Sequence, residues 1–227
     1  MSEDFADDVA SVAALGEPVR RALYSYVVAQ DEPVSRESAA AGTGVAHHVA
    51  KFNLDRLVAD GLLEVEYGRP AGRGGPGAGR PAKLYRRAAR DISVSLPERR
   101  YDVAGHVMAE AITVAARDGV PVDDALHAAA RETGRRLGET AEVDGGLPAR
   151  DAVSEVLAGY GYEPRTVGGE VVLANCPFHR LAAEYRQLVC GMNLDLIGGL
   201  LDVVRPGALT ARLNPGPDRC CVTLAQA

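Results

Sequence analysis

Between Gly68 and Pro81 the chain reads Gly-Arg-Pro-Ala-Gly-Arg-Gly-Gly-Pro-Gly-Ala-Gly-Arg-Pro, and no regular helix or central strand can run through it. Glycine loses the most backbone entropy on ordering, and proline lacks the amide that a helix or a ladder needs. The stretch reads as a mobile loop, so whatever folds around it must use it as a tip or a linker. It is also basic. From Tyr67 to Arg90 there are seven bases (Arg69, Arg73, Arg80, Lys83, Arg86, Arg87 and Arg90) and no acid. The whole chain has 31 acids and 25 bases, a formal charge of −6, so a segment at +7 leaves −13 on the remainder. A whole-chain acidity that argues against a polyanionic partner therefore conceals one compact cationic segment.

What flanks that segment defines it. Apolar residues recur at helical spacing over residues 7–29 (Val9, Val12, Leu15, then Val19, Leu23, Tyr26, Val27). Gly16-Glu17-Pro18 interrupts them, which predicts two helices, with Pro18 in the first turn of the second. Ser35 is placed to cap a short helix over 36–41, and Gly42-Thr43-Gly44 reads as a tight turn. A further helix is expected over 46–59, with Val45, Val49, Leu54, Leu57 and Val58 facing inward and Gly61 suited to a left-handed cap. Residues 62–67 alternate as a strand, and a second strand returns at 84–86 after the basic loop. Helix, glycine turn, helix and a hairpin with a basic tip, in that order, make a winged helix-turn-helix. Its second helix enters the major groove of double-stranded DNA while the wing touches the backbone or the minor groove.

After an extended stretch (Ile92, Val94, Leu96), Pro97 precedes a helix expected over 98–117. Its Tyr101, Val103, Val107, Met108, Ala111, Ile112 and Val114 leave little polar face, as in a helix buried in a large core or against another subunit. An alanine- and arginine-rich helix follows over 122–137, then an acidic loop over 139–149. Beyond it the pattern becomes α+β: a helix over 150–159, a hairpin from 162–167 and 170–173, helices over 178–190 and 192–204, and strands over 208–213 and 221–224.

Composition narrows the remaining classes. With 47% apolar and 25% charged residues the chain has an ordinary globular makeup. No apolar run approaches the roughly 18–20 residues of a membrane span, and the acidic start MSEDFADDVA is unlike a secretory signal, so a cytoplasmic location is expected. Four cysteines (Cys176, Cys190, Cys220 and Cys221) all fall in the last quarter. In such a compartment that clustering points to metal, redox chemistry or burial more than to structural disulfides. Tight C-x-x-C spacing is absent. His179, three residues after Cys176, adds a Cys3His zinc site as an alternative, and small cysteines filling a core is the plainest reading.

Three motifs carry a family resemblance. Phe52-Asn53-Leu54-Asp55-Arg56-Leu57-Val58-Ala59-Asp60-Gly61-Leu62-Leu63 resembles the recognition helix of ArsR-like winged-helix repressors. Gly79-Arg80-Pro81-Ala82-Lys83-Leu84-Tyr85-Arg86, followed by Leu96-Pro97-Glu98-Arg99-Arg100-Tyr101, resembles the wing and linker of the SufR-type branch. Asn175-Cys176-Pro177-Phe178-His179 with Leu188-Val189-Cys190-Gly191-Met192-Asn193 resembles that branch's sensory domain. The resemblance implies a dimeric repressor of a double-stranded DNA operator whose C-terminal cysteines hold an iron–sulfur cluster, soft thiolates matching the soft iron–sulfide core. It implies Cys176, Cys190 and one of Cys220 and Cys221 as ligands and leaves the fourth open, with His179 a candidate and zinc the alternative metal.

The expected fold is therefore α+β: an N-terminal winged helix-turn-helix (1–92), a helical dimerisation linker (93–148) and a C-terminal α+β sensory domain (149–227). His47, His48 and Lys51, in the first turns of the second helix, are the expected base-reading positions, and Arg69, Arg73, Arg80 and Lys83 the wing contacts. The chain departs from its relatives here. They carry an arginine and hydroxyl residues where this chain has Ala46, His47 and His48, and histidine near neutral pH supplies less charge. A homodimer through the 98–117 helix completes the expectation.

An enzyme finds little support. Gly74-x4-Gly79-Arg80-Pro81 lacks the lysine and hydroxyl of a phosphate loop and runs into a strand rather than a helix. Cys176 and His179 are a thin basis for a nucleophile–base pair. Two other readings remain: a zinc-stabilised or small-molecule-responsive repressor, and a thiol redox protein with a basic tail.

Overall fold

Gly16-Glu17-Pro18 divides the first apolar run into α1 (Glu3–Ala14) and α2 (Pro18–Val28). The Glu17 carboxylate caps α2 by accepting from the amides of Arg20 (2.7 Å) and Val19 (3.1 Å), and these bonds hold its pKa below the ordinary value. Pro18 sits where its missing amide costs nothing. The computed structural model describes residues 3–68 and 82–227, which form two compact units meeting in sequence between Val94 and Ser95.

In the amino-terminal unit, Val34–Ser35 forms a short β1, and Ser35 Oγ accepts the Ser38 amide at 3.1 Å to start α3 (Arg36–Thr43). The three-residue turn lies two residues later than expected, at 44–46. Gly42 and Thr43 belong to α3, with Thr43 Oγ1 donating to the Ala39 carbonyl, and only Gly44 takes the left-handed backbone (φ 69°) that ends the helix. α4 (His47–Ala59) follows. It buries Ala50, Asn53, Leu54 and Leu57, spaced to make one stripe, while the expected inward Val45, Val49 and Val58 are only half-buried at its margins.

β2 (Leu63–Gly68) pairs antiparallel with β3 (Ala82–Arg87), from Leu63 opposite Arg87 to Gly68 opposite Ala82. β1 pairs with the other edge of β3, Val34 opposite Tyr85, so β3 is central and longer than the expected 84–86. Leu23, Val27, Ala39, Leu54, Leu57, Leu63 and Tyr85 form the core beneath. The wing residues Arg69, Arg73 and Arg80 lie outside the described residues.

The second unit runs α5 (Tyr101–Asp118), α6 (Val122–Thr140), α7 (Ala149–Gly159), β4 (Pro164–Val167), β5 (Glu170–Leu173), α8 (His179–Glu184), α9 (Arg186–Val204), β6 (Leu209–Leu213) and β7 (Val222–Gln226). Its sheet has the order β4-β5-β7-β6 with every pair antiparallel. The helices placed by sequence in a separate linker share one core with the cysteine-bearing elements, which corrects the expected division near residue 148. The cause is the packing of α6 on α9. A Cβ at Gly134 would stand 1.9 Å from the Leu196 carbonyl oxygen, and one at Gly199 the same distance from that of Arg131, so only glycine permits this approach.

Within the single chain α5 buries one stripe, Ala104, Val107, Ala111 and Ala115, while Ile112 is 59% exposed. Two further expectations change. The break between the last two helices falls at Tyr185 (φ −121°, ψ 52°), not at Gly191, which lies inside α9 between Cys190 and Met192. α9 is also long and apolar enough to cross a membrane, unlike the expectation that no segment is. Here it is a core helix, and its Asp195 and Asp202 meet His127 (2.5 Å) and Arg131 (2.9 Å) on α6.

Candidate nucleic-acid interface and thiol cluster

Because α4 buries one stripe, its other face is free. His47, His48, Lys51, Phe52 and Arg56 are exposed there. The ring of His47 lies 3.1 Å from Glu37 Oε1 on α3, and Arg56 donates to Asp60 at 3.1 Å. His48 and Lys51 have no hydrogen bond or ion pair among the described residues and keep their donors for an outside partner. Phe52 was missed by sequence reasoning, although the period that selects Ala50, Leu54 and Leu57 also excludes it from the core.

Lys83 is committed elsewhere. Its ammonium hydrogen-bonds the Asp55 carboxylate of α4 and lies 5.2 Å from the Tyr85 ring centroid. Tyr85, wholly buried, donates its hydroxyl to Asp55 Oδ1 at 2.8 Å and receives Arg36 Nη2 at 3.5 Å. Partial burial works against ionisation of Asp55, but the bonds from Lys83 and Tyr85 outweigh it and hold the carboxyl below its usual range. Neither Asp55 nor Tyr85 stood out in the sequence, since a strand and a helix 30 residues apart meet only in three dimensions.

In the second unit the four cysteines come from three segments: Cys176 from the loop after β5, Cys190 from α9, and Cys220 and Cys221 from the approach to β7. Cys176, Cys190 and Cys220 are buried and Cys221 half-buried, all as free thiols. The neighbouring Cys220 thiol, with the Phe178 amide and the nearby Arg99, holds Cys176 below the ordinary thiol value, while Cys176 and burial push Cys220 up. Burial and the neighbouring Cys221 thiol push Cys190 up to about 12.

Two donors converge on Cys220 Sγ, Asn193 Nδ2 at 3.2 Å and the Val222 amide at 3.5 Å. Asn193 Oδ1 in turn accepts from the buried Tyr162 hydroxyl. A buried amide aimed at sulfur suits an anionic or metal-bound sulfur better than a neutral thiol, which accepts only weakly.

The four sulfurs lie near enough to act on one another: Cys190 feels both Cys221 and Cys176, and Cys220 feels both Cys176 and Cys221. Among the described residues no three His, Cys, Asp or Glu side chains are already gathered to hold an ion. In chemistry the donor set nevertheless fits a thiolate-ligated group: four thiols, with N–H donors turned on one of them. His179 does not join them. It is exposed at the start of α8, its amide bonded to the Cys176 carbonyl at 3.0 Å, and its ring makes no hydrogen bond among the described residues.

The loop bearing Cys176 is also tied to the segment that enters α5. Arg99 Nη1 donates to Asn175 Oδ1 (2.5 Å) and to the Cys176 carbonyl (3.1 Å). Asn175 Nδ2 donates to the carbonyls of Gly161 (2.6 Å) and Glu98 (3.1 Å), and the Arg100 amide reaches that of Pro177 at 3.3 Å. The two resembling motifs, Leu96–Tyr101 and Asn175–His179, are thus physical partners.

No curated protein and no solved structure matches this chain. Residues 15–66 match a family model described as a helix-turn-helix domain. The match runs from just before α2 into β2, and with the paired β2 and β3 the amino-terminal unit is a winged helix-turn-helix of the kind that DNA-binding transcription regulators carry.

Proposed function

We propose that this chain is a repressor that binds a double-stranded DNA operator as a homodimer, its affinity governed by an iron–sulfur cluster on Cys176, Cys190, Cys220 and Cys221. The observation that carries the reading is the convergence of all four cysteines from three segments, with the Asn193 amide and the Val222 N–H turned on Cys220 Sγ. α4 supplies the reading face, where His48 and Lys51 are unengaged. The outer side of α5, with Ile112 exposed, supplies a surface for a second copy, and a two-fold dimer would read paired half-sites about one DNA turn or a multiple apart.

When bound, the cluster would supply a redox-labile cross-link between the three cysteine segments. The chain's own residues provide the coupling. Arg99 and Asn175 hold residues 98–100 to the Cys176 loop, and those residues lie just past the junction with the winged unit. A shift of the loop therefore bears on the chain that leads back to the DNA-reading unit.

Anaerobic purification, visible absorption and iron and sulfide analysis test the cofactor. A coloured protein containing iron and acid-labile sulfide is expected, and a colourless, iron-free protein from cells that make clusters would sink that half of the reading; zinc in its place would support the zinc-stabilised alternative. DNA binding that strengthens as salt is lowered tests the other half.

A further inference from the structure

We propose that Phe52 reads thymine, its ring packing against the C5 methyl group in the major groove. The inference rests on α4 being the DNA-reading helix, and it assigns a specificity role to a residue that the charge of the interface does not explain.

Phe52 is 71% exposed, in the middle of a helix whose other large apolar residues are buried or at its margins. It shares its face with His48, one turn before it, and with Asp55 and Arg56, one turn after. That rim suits a polyanion. His48 and Lys51 are unengaged among the described residues, and of the acids near α4, Glu37 meets His47, Asp60 meets Arg56, and Asp55 is held to β3 by Lys83 and Tyr85. An apolar group beside a free lysine and a free histidine needs a partner that offers an anion and acceptors around one apolar point. The major groove provides this pairing: phosphates flank it, and thymine C5 methyl is the apolar feature on its base edges. Phenylalanine has no donor or acceptor, so it can tell bases apart only by such a contact. An apolar pocket on a protein partner would leave Lys51 without an anion to meet.

The test uses the full-length chain and a duplex selected by it from a random-sequence library. Each thymine is replaced in turn by deoxyuridine, which removes the methyl group and leaves the base-pair hydrogen bonds intact. Wild-type protein should lose about fourfold in affinity at one thymine of each half-site, the equivalent of one buried methyl group. Phe52→Ala should bind the thymine and deoxyuridine duplexes equally, and Phe52→Leu should keep part of the preference. Since the side chain is exposed, both variants should melt with the wild type. Equal wild-type affinity for every thymine and deoxyuridine duplex overturns the proposal while leaving DNA binding intact, as does a Phe52→Ala protein that keeps the preference. Failure to select any duplex overturns the DNA-reading assignment of α4 and this inference with it.

Discussion

Tyr85 donates its hydroxyl to Asp55 Oδ1 at 2.8 Å, joining the central strand of the winged sheet to α4. Lys83 binds the same carboxylate from two residues earlier on β3. The base of the wing and α4 are therefore held as one body, with the Lys83 ammonium paired to Asp55 across the joint.

Tyr85→Phe should loosen this joint. It removes one hydrogen bond to an ionised group, worth about 1.5–3 kcal/mol when buried and less here because Asp55 is partly exposed and screened. Asp55→Asn should act similarly at neutral pH. The folded-state pKa of Asp55 is depressed, so its contribution is complete above the ordinary aspartate value and is lost as acid carries the carboxyl through the folded one. Hydrogen exchange of the α4 amides in the full chain should show wild type and Asp55→Asn differing at neutral pH and converging in acid.

Lys51→Ala should weaken DNA binding across sequences. Each copy that gives up one phosphate contact lowers the slope of log K against log salt by about one. Affinity measured over a salt series checks this, and an unchanged slope would show that Lys51 touches no phosphate.

Gly199→Ala should destabilise the second unit by about 1–3 kcal/mol or more, because its methyl would stand 1.9 Å from the Arg131 carbonyl oxygen and force α6 from α9. Gly145→Ala, in a loop where a Cβ meets nothing, serves as the control. Denaturant unfolding followed through this unit should separate the two variants.

Asn193→Ala should cost about 1–3 kcal/mol in the metal-free protein, since the buried Tyr162 hydroxyl loses its acceptor. Adding Tyr162→Phe should recover part of that loss, because no polar group is then stranded. A double-mutant cycle on unfolding free energies measures the coupling, and strictly additive effects would contradict it.

Arg99→Ala and Asn175→Ala should free residues 98–101 from the Cys176 loop. Faster hydrogen exchange in both segments is expected. So is a collapse of the difference in DNA affinity between metal-loaded and metal-free protein, with metal content unchanged. A preserved difference would place the coupling in other residues.

The sequence alone determined the elements that depend on neighbours along the chain. Gly16-Glu17-Pro18 had to split two helices, Ser35 had to cap the next, and the apolar period had to give α4 one buried stripe, because capping, backbone sterics and periodicity are local. The glycine-rich basic run could be neither helix nor central strand, and the strands on either side of it pair. Tertiary structure alone decided what is held against what. It tied Lys83 to Asp55, set Asn193 on Cys220, brought the four cysteines together, and joined Arg99 to Asn175 across 76 residues. It also merged the expected linker helices with the cysteine elements, through glycines whose role is visible only when two helices touch. Such contacts depend on how whole faces pack, and packing is a property of the assembled core rather than of any stretch of chain.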